Sequence, residues 1–284
     1  MSSSKPYGRV LVTGASGTTG SRLAGLLVAR GVAVTSANRS ASGPRGTLGT
    51  RFDWYDAGTH PDALAGVEGM YLVPPGRDAD PQAVMIPFLE RARKAGVRRV
   101  VLLSNSVVSA GGPGPGVVHK AIAEMFEEWA VLRPSWFMQN VTGNHVHAQS
   151  IRANSVICTA TADGRVGFVD AGDIARVGVE ALLSPAAANA DLILTGPQAL
   201  RYDQVAAILS EVSGRTITHV HLDIGELRSI YEAAGLPPTA AQFLAALDTA
   251  IASGIEDRTT DTVERVTGVA PRPFREFAAA EFRL

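Results

Sequence analysis

Seven residues near the start of the chain, Gly14-Ala15-Ser16-Gly17-Thr18-Thr19-Gly20, follow closely on the apolar run Val10-Leu11-Val12. Closely spaced glycines let a backbone turn tightly and approach phosphates with no side chain in the way. Where such a loop closes a strand and opens a helix, the free N–H groups and positive dipole end of that helix complete a pyrophosphate site. A second cluster, Ser36-Ala37-Asn38-Arg39-Ser40, places Arg39 nineteen residues beyond Gly20. At that point dinucleotide folds carry either an acid for a ribose diol or an arginine for a ribose 2′-phosphate. No acid stands between Gly14 and Asp53. A carboxylate there would repel the phosphate, whereas Arg39 and the Ser40 hydroxyl can bind it. The spacing therefore favours NADP(H) over NAD(H).

Asp53, in Arg51-Phe52-Asp53-Trp54, is placed either to meet the adenine amino group or to cap a turn. Ser104-Asn105-Ser106 ends the fifth apolar run, on the nicotinamide side of such a cleft. In short-chain dehydrogenases a serine at this point works with a Tyr-x-x-x-Lys, whose tyrosine protonates a developing alkoxide. Lys120 lies sixteen residues after Ser104, but Gly116 occupies the tyrosine position. None of Tyr7, Tyr55, Tyr71, Tyr202 or Tyr231 has a lysine four residues on. Reducing a carbonyl requires a proton for oxygen, whereas hydride addition to a preformed iminium gives a neutral amine directly. His119 is the nearest alternative acid, with an ordinary pKa suited to the task. The preceding Gly111-Gly112-Pro113-Gly114-Pro115-Gly116 reads as a mobile flap or a plain connection.

Other groups that could do chemistry are weaker. His145/His147 and His219/His221 have an i, i+2 spacing, but no third ligand accompanies either pair, so no metal is expected. Cys158, the single cysteine, excludes an intrachain disulfide framework and reads as a small apolar residue. Asp173 reads as a helix cap.

Alternating strand and helix signals must position these residues. Strands are expected at 9–13, 33–38, 51–54, 70–74, 99–104 and 130–133, with an amphipathic helix over 80–95 carrying Val84, Met85, Phe88, Leu89 and Ala92. This alternation predicts an α/β fold, a Rossmann-type doubly wound parallel sheet. Beyond residue 134 the rhythm loosens into helices at 137–153, 171–183 and 203–213, with short strands near 155–160, 192–195 and 216–222. The expected organisation is a cofactor-binding core over 1–134. A smaller C-terminal α/β lobe over 135–284 is interleaved with the end of the sheet.

Of the 284 residues 46% are hydrophobic and 19% charged, as in an ordinary globule with ample core. The net charge is -1, with three lysines and no basic run, so neither nucleic acid nor an anionic membrane is an expected partner. The segment 1–7 lacks the apolar stretch of a signal peptide, and no apolar run approaches a membrane span; the expected compartment is the cytoplasm. Composition leaves monomer and homodimer open.

Assembled, these residues make the chain resemble the NmrA-like atypical short-chain dehydrogenase/reductases, most closely their ergot-alkaloid reductase group (agroclavine dehydrogenase / festuclavine synthase). The likeness runs through Gly14–Gly20, Phe52-Asp53-Trp54, Met70–Pro75, Gly96–Ser104, Leu132–Asn140, Asp173-Ile174-Ala175, Gly196-Pro197, Gly214–Val220 and Leu247–Ala250. The resemblance implies an NADP-dependent reductase of a cyclic iminium that works without the catalytic tyrosine. It places Trp136, Phe137, Met138 and Asn140 beside nicotinamide and substrate. The resulting cofactor set is Gly14, Ser16, Gly17, Thr18, Thr19, Gly20, Asn38, Arg39, Ser40, Asp53, Trp54, Val73, Pro74, Ser104, Asn105, Lys120 and Pro134. The catalytic set is Lys120, His119 and Ser104. Two other readings stay open: a non-catalytic NADP(H)-sensing regulator of NmrA type, and a quinone or enone reductase.

Overall fold

Apolar runs without alternation, such as Val10-Leu11-Val12 and Val100-Val101-Leu102, are strands buried on both faces in the computed structural model, which describes residues 8–76 and 80–283. The segment read for a signal peptide, with Lys5 and Tyr7, lies outside the described residues. The strands are β1 (Arg9–Thr13), β2 (Val34–Asn38), β3 (Leu48–Arg51), β4 (Val67–Leu72), β5 (Arg99–Leu103), β6 (Glu128–Pro134), β7 (Val156–Thr159), β8 (Ala190–Leu194) and β9 (Thr218–His221). The helices are α1 (Gly20–Ala29), α2 (His60–Leu64), α3 (Gln82–Lys94), α4 (Pro115–Met125), α5 (Val146–Asn154) and α6 (Ala171–Leu183). They continue as α7 (Tyr202–Ser213), α8 (Ile224–Ala233), α9 (Pro238–Ala252), α10 (Thr262–Thr267) and α11 (Phe274–Glu281).

The chain divides into two compact units, one running up to Pro134 and resuming over Ala171–Ile193, the other made of Ser135–Asp170 and the chain from Leu194 onward. The first unit holds the seven-stranded sheet, in the order β3-β2-β1-β4-β5-β6-β8, with parallel pairing from β3 through to β6. This is the doubly wound Rossmann-like order: the chain moves outward from β1 to β3, then returns past β1 to β4. The α2, α3 and α4 helices fill one face, where Met85, Phe88, Leu89 and Ala92 of α3 are fully buried against Leu11, Met70 and Val100. Their i, i+3, i+4, i+7 spacing is the stripe seen in the sequence. On the opposite face α1 and α6 pack together.

Two expectations shift. The third strand is Leu48–Arg51 rather than 51–54, and it is an edge strand with Leu48, Gly49 and Arg51 exposed. A solvated edge needs no apolar run, so the hydrophobic pattern carries no trace of it. The helix read over 137–153 breaks into a 3-10 turn at Met138–Val141 and then α5. Gly143 and Asn144 interrupt it, and the His145 imidazole restarts it by accepting the His147 N–H at 3.2 Å.

In the second unit β7 and β9 pair in parallel. Met138, Ile151, Ile157, Phe168, Tyr202 and Phe277 lie in its core. Among the described residues no helix is long and apolar enough to cross a membrane, and no group of three or more His, Cys, Asp or Glu is placed to hold a metal ion.

Candidate functional site

At the carboxyl end of β1 the chain turns through Gly14, whose φ of +61° is open to glycine at no steric cost. The turn closes with the Gly17 N–H donating to the Gly14 carbonyl at 2.8 Å. A Cβ on Gly20 would meet that same carbonyl oxygen at 2.3 Å, so α1 starts hard against the turn. Ser16, Gly17 and Thr18 remain exposed at the tip, while Thr19 and Gly20 are buried. The arrangement is a cradle of bare backbone before a ten-residue helix, and it fits a pyrophosphate. Thr13 secures it from below: its hydroxyl accepts the Val73 N–H at 2.8 Å, joining the ends of β1 and β4. The sequence reading missed Thr13, although a threonine ending a buried strand before a glycine turn is a usable signal.

The loop after β2 is built by Asn38. Its side-chain carbonyl accepts the backbone N–H of Ser40 and of Ser42, both at 3.1 Å, and the Ser40 hydroxyl at 2.9 Å. Its amide donates to the Ser42 carbonyl at 2.5 Å. Asn38 thereby shapes the turn, with its side-chain carbonyl taken up by these bonds and one amide N–H committed to Ser42. Arg39 and Ser40, which the turn holds out, are exposed, and Arg39 has no ion-pair partner among the described residues.

Asp53 sits in the turn after β3. One carboxylate oxygen accepts the Tyr55 N–H at 3.0 Å, and its backbone N–H donates to the Thr59 hydroxyl at 3.0 Å. Trp54 donates its indole N–H to the Val73 carbonyl at 3.2 Å and packs edge-on against Phe52 and Phe88. Buried His60 fastens this turn, with Nε2 3.0 Å from the Asp53 carbonyl and Nδ1 3.1 Å from the Arg91 guanidinium. Arginine can only donate, so Nδ1 accepts, the proton rests on Nε2, and the ring is neutral. Burial holds His60 below its ordinary pKa, and nearby Arg91 adds to that. The Phe52-x-Trp54 motif was read without His60, which lies at the start of the next helix.

On the far side of β1, the Ser104 hydroxyl at the end of β5 is buried with no hydrogen-bond partner among the described residues. An orphaned buried hydroxyl costs about 1–3 kcal/mol, which a ligand's polar group can recover. Asn105 turns its side-chain carbonyl onto the Val108 N–H at 3.1 Å, and Pro134 closes β6 beside it, accepting the Ser106 N–H at 3.0 Å.

The α4 helix separates two residues expected to work together. Lys120 is exposed, with its ammonium 3.8 Å from Glu124, an exposed pair that holds it weakly. His119 points into the sheet, 3% exposed, with its ring 6.0 Å from that of Trp129. Successive helix positions lie about 100° apart, so the two cannot share a face. Burial also lowers the His119 pKa. The structure therefore sets His119 inward, on a different face of α4 from Lys120. Where a tyrosine would stand, Gly116 is buried, and a Cβ there would meet the Ser109 carbonyl oxygen at 2.5 Å and Val108 Cγ1 at 2.9 Å. The backbone occupies the place a tyrosine side chain would need.

In the second unit Trp136, Phe137 and Asn140 are half-buried, but Met138 is 1% exposed in the core. Met138 packs in the core of this unit. Gln139 beside it is also buried and donates to Asp170 at 2.9 Å. Asp173 lies within the first turn of α6, ion-paired with Arg176.

Of the two histidine pairs His147 is buried, His145 and His219 are half-buried and His221 is exposed. His219 Nε2 is 2.7 Å from the Thr159 hydroxyl, and the His147 and Tyr202 rings are 5.6 Å apart. Burial pushes His145 and His219 down to about 4 and His147 well below its ordinary value, and lifts Asp248 to about 6. The unfolded chain takes up protons on these histidines near pH 6.5, before the folded chain does, so histidine-linked stability falls as pH drops from about 6.5 towards 4. Asp248 acts in the opposite sense, because protonation relieves its burial. With five depressed histidines against it, counting His60 and His119, the urea midpoint is expected to fall between pH 7 and pH 5. A midpoint unchanged over that range contradicts the burial of neutral imidazoles.

No family model matches the chain. Among curated proteins it is 45% identical to the oxidoreductase YesF of Bacillus subtilis (strain 168), over 95% of this chain and 94% of that one. It is 38% identical to agroclavine dehydrogenase of Claviceps purpurea (strain 20.1), covering 96% of this chain and 97% of that one. It is 36% identical to festuclavine synthase II of Penicillium roqueforti (strain FM164), covering 96% and 98%. The solved structure of Citrobacter sp. triphenylmethane reductase complexed with NADP(H) shares the fold, with a TM-score of 0.78 at 22% identity, over 96% of this chain and 100% of that one.

Proposed function

The chain belongs to the NmrA-like oxidoreductase family of agroclavine dehydrogenase and festuclavine synthase, and we propose that it is an NADPH-dependent reductase delivering hydride to a cyclic iminium or a closely related small electrophile. The observation that carries this reading is Gly116, where packed backbone excludes the phenol that carbonyl reduction would use. NADPH, when bound, supplies the hydride. The protein's own work is to hold and orient. The Gly14–Gly20 cradle binds the pyrophosphate, Arg39 and Ser40 bind the 2′-phosphate, and the turn of Asp53 and Trp54 takes the adenine. Val73 and Pro74, at the end of β4, line the same edge. Ser104 supplies its unpaired hydroxyl at the nicotinamide end, and Lys120, loosely held by Glu124, is drawn to the nicotinamide ribose. Trp136, Phe137 and Asn140 of the second unit are assigned to the substrate.

The chemistry balances without a protein acid. The hydride brings two electrons to the iminium carbon, the C=N π pair becomes the nitrogen lone pair, and a neutral amine leaves with NADP⁺. Support for a nicotinamide-dependent reductase comes from the relatives' names, agroclavine dehydrogenase and festuclavine synthase. The expected result is sustained NADPH oxidation with an N-methyl-dihydroisoquinolinium salt and none with a simple ketone, followed by absorbance. Turnover confined to quinones assigns the protein to quinone reduction instead. Unequal binding of NADP⁺ and NADPH with no turnover on any acceptor assigns it to sensing.

A further inference from the structure

Arg133, near the end of β6, has a side chain only 11% exposed, yet no substrate or cofactor role has been given to it. A guanidinium taken out of water needs acceptors for its fixed fork of donors. Two of those acceptors are consecutive backbone carbonyls in the turn that follows β5: Nη2 donates to Ser106 O at 2.8 Å, and Nε reaches Asn105 O at 3.5 Å. The third is the Asp191 carboxylate on β8, bonded to Nη1. Burial raises the Asp191 carboxyl, but the hydrogen bond and charge of Arg133, with smaller help from His119 and a backbone bond, together hold it below the usual range. The ladder from β5 to β6 fixes the turn on the same side, with the Ser104 N–H on Leu132 O at 2.8 Å and the Ser106 N–H on Pro134 O at 3.0 Å. Asn105 and Ser106 are the residues immediately after Ser104, whose hydroxyl is left unpaired.

We infer that Arg133, anchored by Asp191 across β6 and β8, is a positioning residue that sets the Ser104–Ser106 turn for the nicotinamide end of the cofactor. The inference rests on the cofactor reading above and deepens it. The N–H groups of Ser104 and Ser106 are tied by the ladder, while Arg133 holds the Ser106 carbonyl and shares the Asn105 carbonyl with the Val108 N–H at 3.4 Å. Loss of the fork therefore loosens the turn without unzipping β5. Lysine keeps the charge opposite Asp191 but cannot reach three acceptors from one planar group.

The test uses the full chain and two probes, NADPH and 2′-phospho-ADP-ribose, which lacks the nicotinamide. Arg133→Met is expected to weaken NADPH about tenfold, the scale of one net hydrogen bond, and to leave 2′-phospho-ADP-ribose unchanged. Arg133→Lys is expected to recover only part of the loss. If Arg133→Met folds poorly, Asp191→Asn serves instead, since it keeps a hydrogen bond but releases the anchoring charge; it should show the same split at a smaller size. Equal weakening of both probes, or no change in either, overturns the positioning role. Failure of the unaltered protein to bind either probe overturns the cofactor reading and this inference with it.

Discussion

Gly20→Val is expected to abolish measurable NADPH binding, because its Cβ would arrive 2.3 Å from the Gly14 carbonyl oxygen. That contact is with backbone, so no rotamer relieves it and the first turn of α1 must move away from β1. The N–H groups that face a pyrophosphate move with it. Losing two hydrogen bonds to a charged group, at about 1.5–3 kcal/mol each, weakens binding by about a hundredfold or more. Gly25→Ala on the same helix is the matched control, since nothing lies within 4 Å of its Cβ. Replacing a mid-helix glycine there should raise stability by about 0.5–1 kcal/mol and leave cofactor affinity unchanged. Fluorescence titration with NADPH, run beside thermal melts of both variants, separates the two effects. Retained NADPH affinity in Gly20→Val removes the glycine loop from the binding site.

Arg39→Ala carries the second large effect, and it is selective. An exposed guanidinium without an ion-pair partner among the described residues loses nothing structural when removed. One charge-assisted bond to a phosphate is worth about 1.5–3 kcal/mol, so NADPH affinity should fall about ten- to hundredfold while NADH binding stays within about twofold. Arg39→Glu should go further and reverse the preference, since a carboxylate repels the 2′-phosphate and accepts from a ribose diol. Dissociation constants for both nucleotides in the three proteins decide it. A marked preference of the unaltered protein for NADH sinks the assignment.

What the sequence disclosed follows from where side chains are buried. Strands β1, β4 and β5 are covered on both faces, so their composition alone marks them, and α3 announces its buried stripe through spacing. The glycine loop was legible because its requirement is local: turn, bare backbone and helix start all fall within seven residues. Strand β3 left no signal because the solvent accepts any polar residue on an edge. The division of labour within the site was harder to see, because it depends on partners distant in the chain. The turn bonds of Asn38 and the inward direction of His119 on α4 depend on the folded backbone, which spacing alone does not show. His60 and Arg133 act through Asp53 and through Asn105 and Ser106, and no spacing rule links such pairs.

The tight seat of Gly116 also bears on how this scaffold can change. Restoring a Tyr-x-x-x-Lys dyad takes more than a codon change, since even a methyl group would lie 2.5 Å from the Ser109 carbonyl oxygen. The connection between β5 and α4 would have to be rebuilt in length or path before a phenol could stand four residues ahead of Lys120. If the chain reduces a cyclic iminium as proposed, drift by point substitution is therefore held among acceptors that already carry their own electrophilic charge. An engineer seeking an alcohol-forming variant should graft the whole segment from Ser106 to Lys120 rather than mutate one residue.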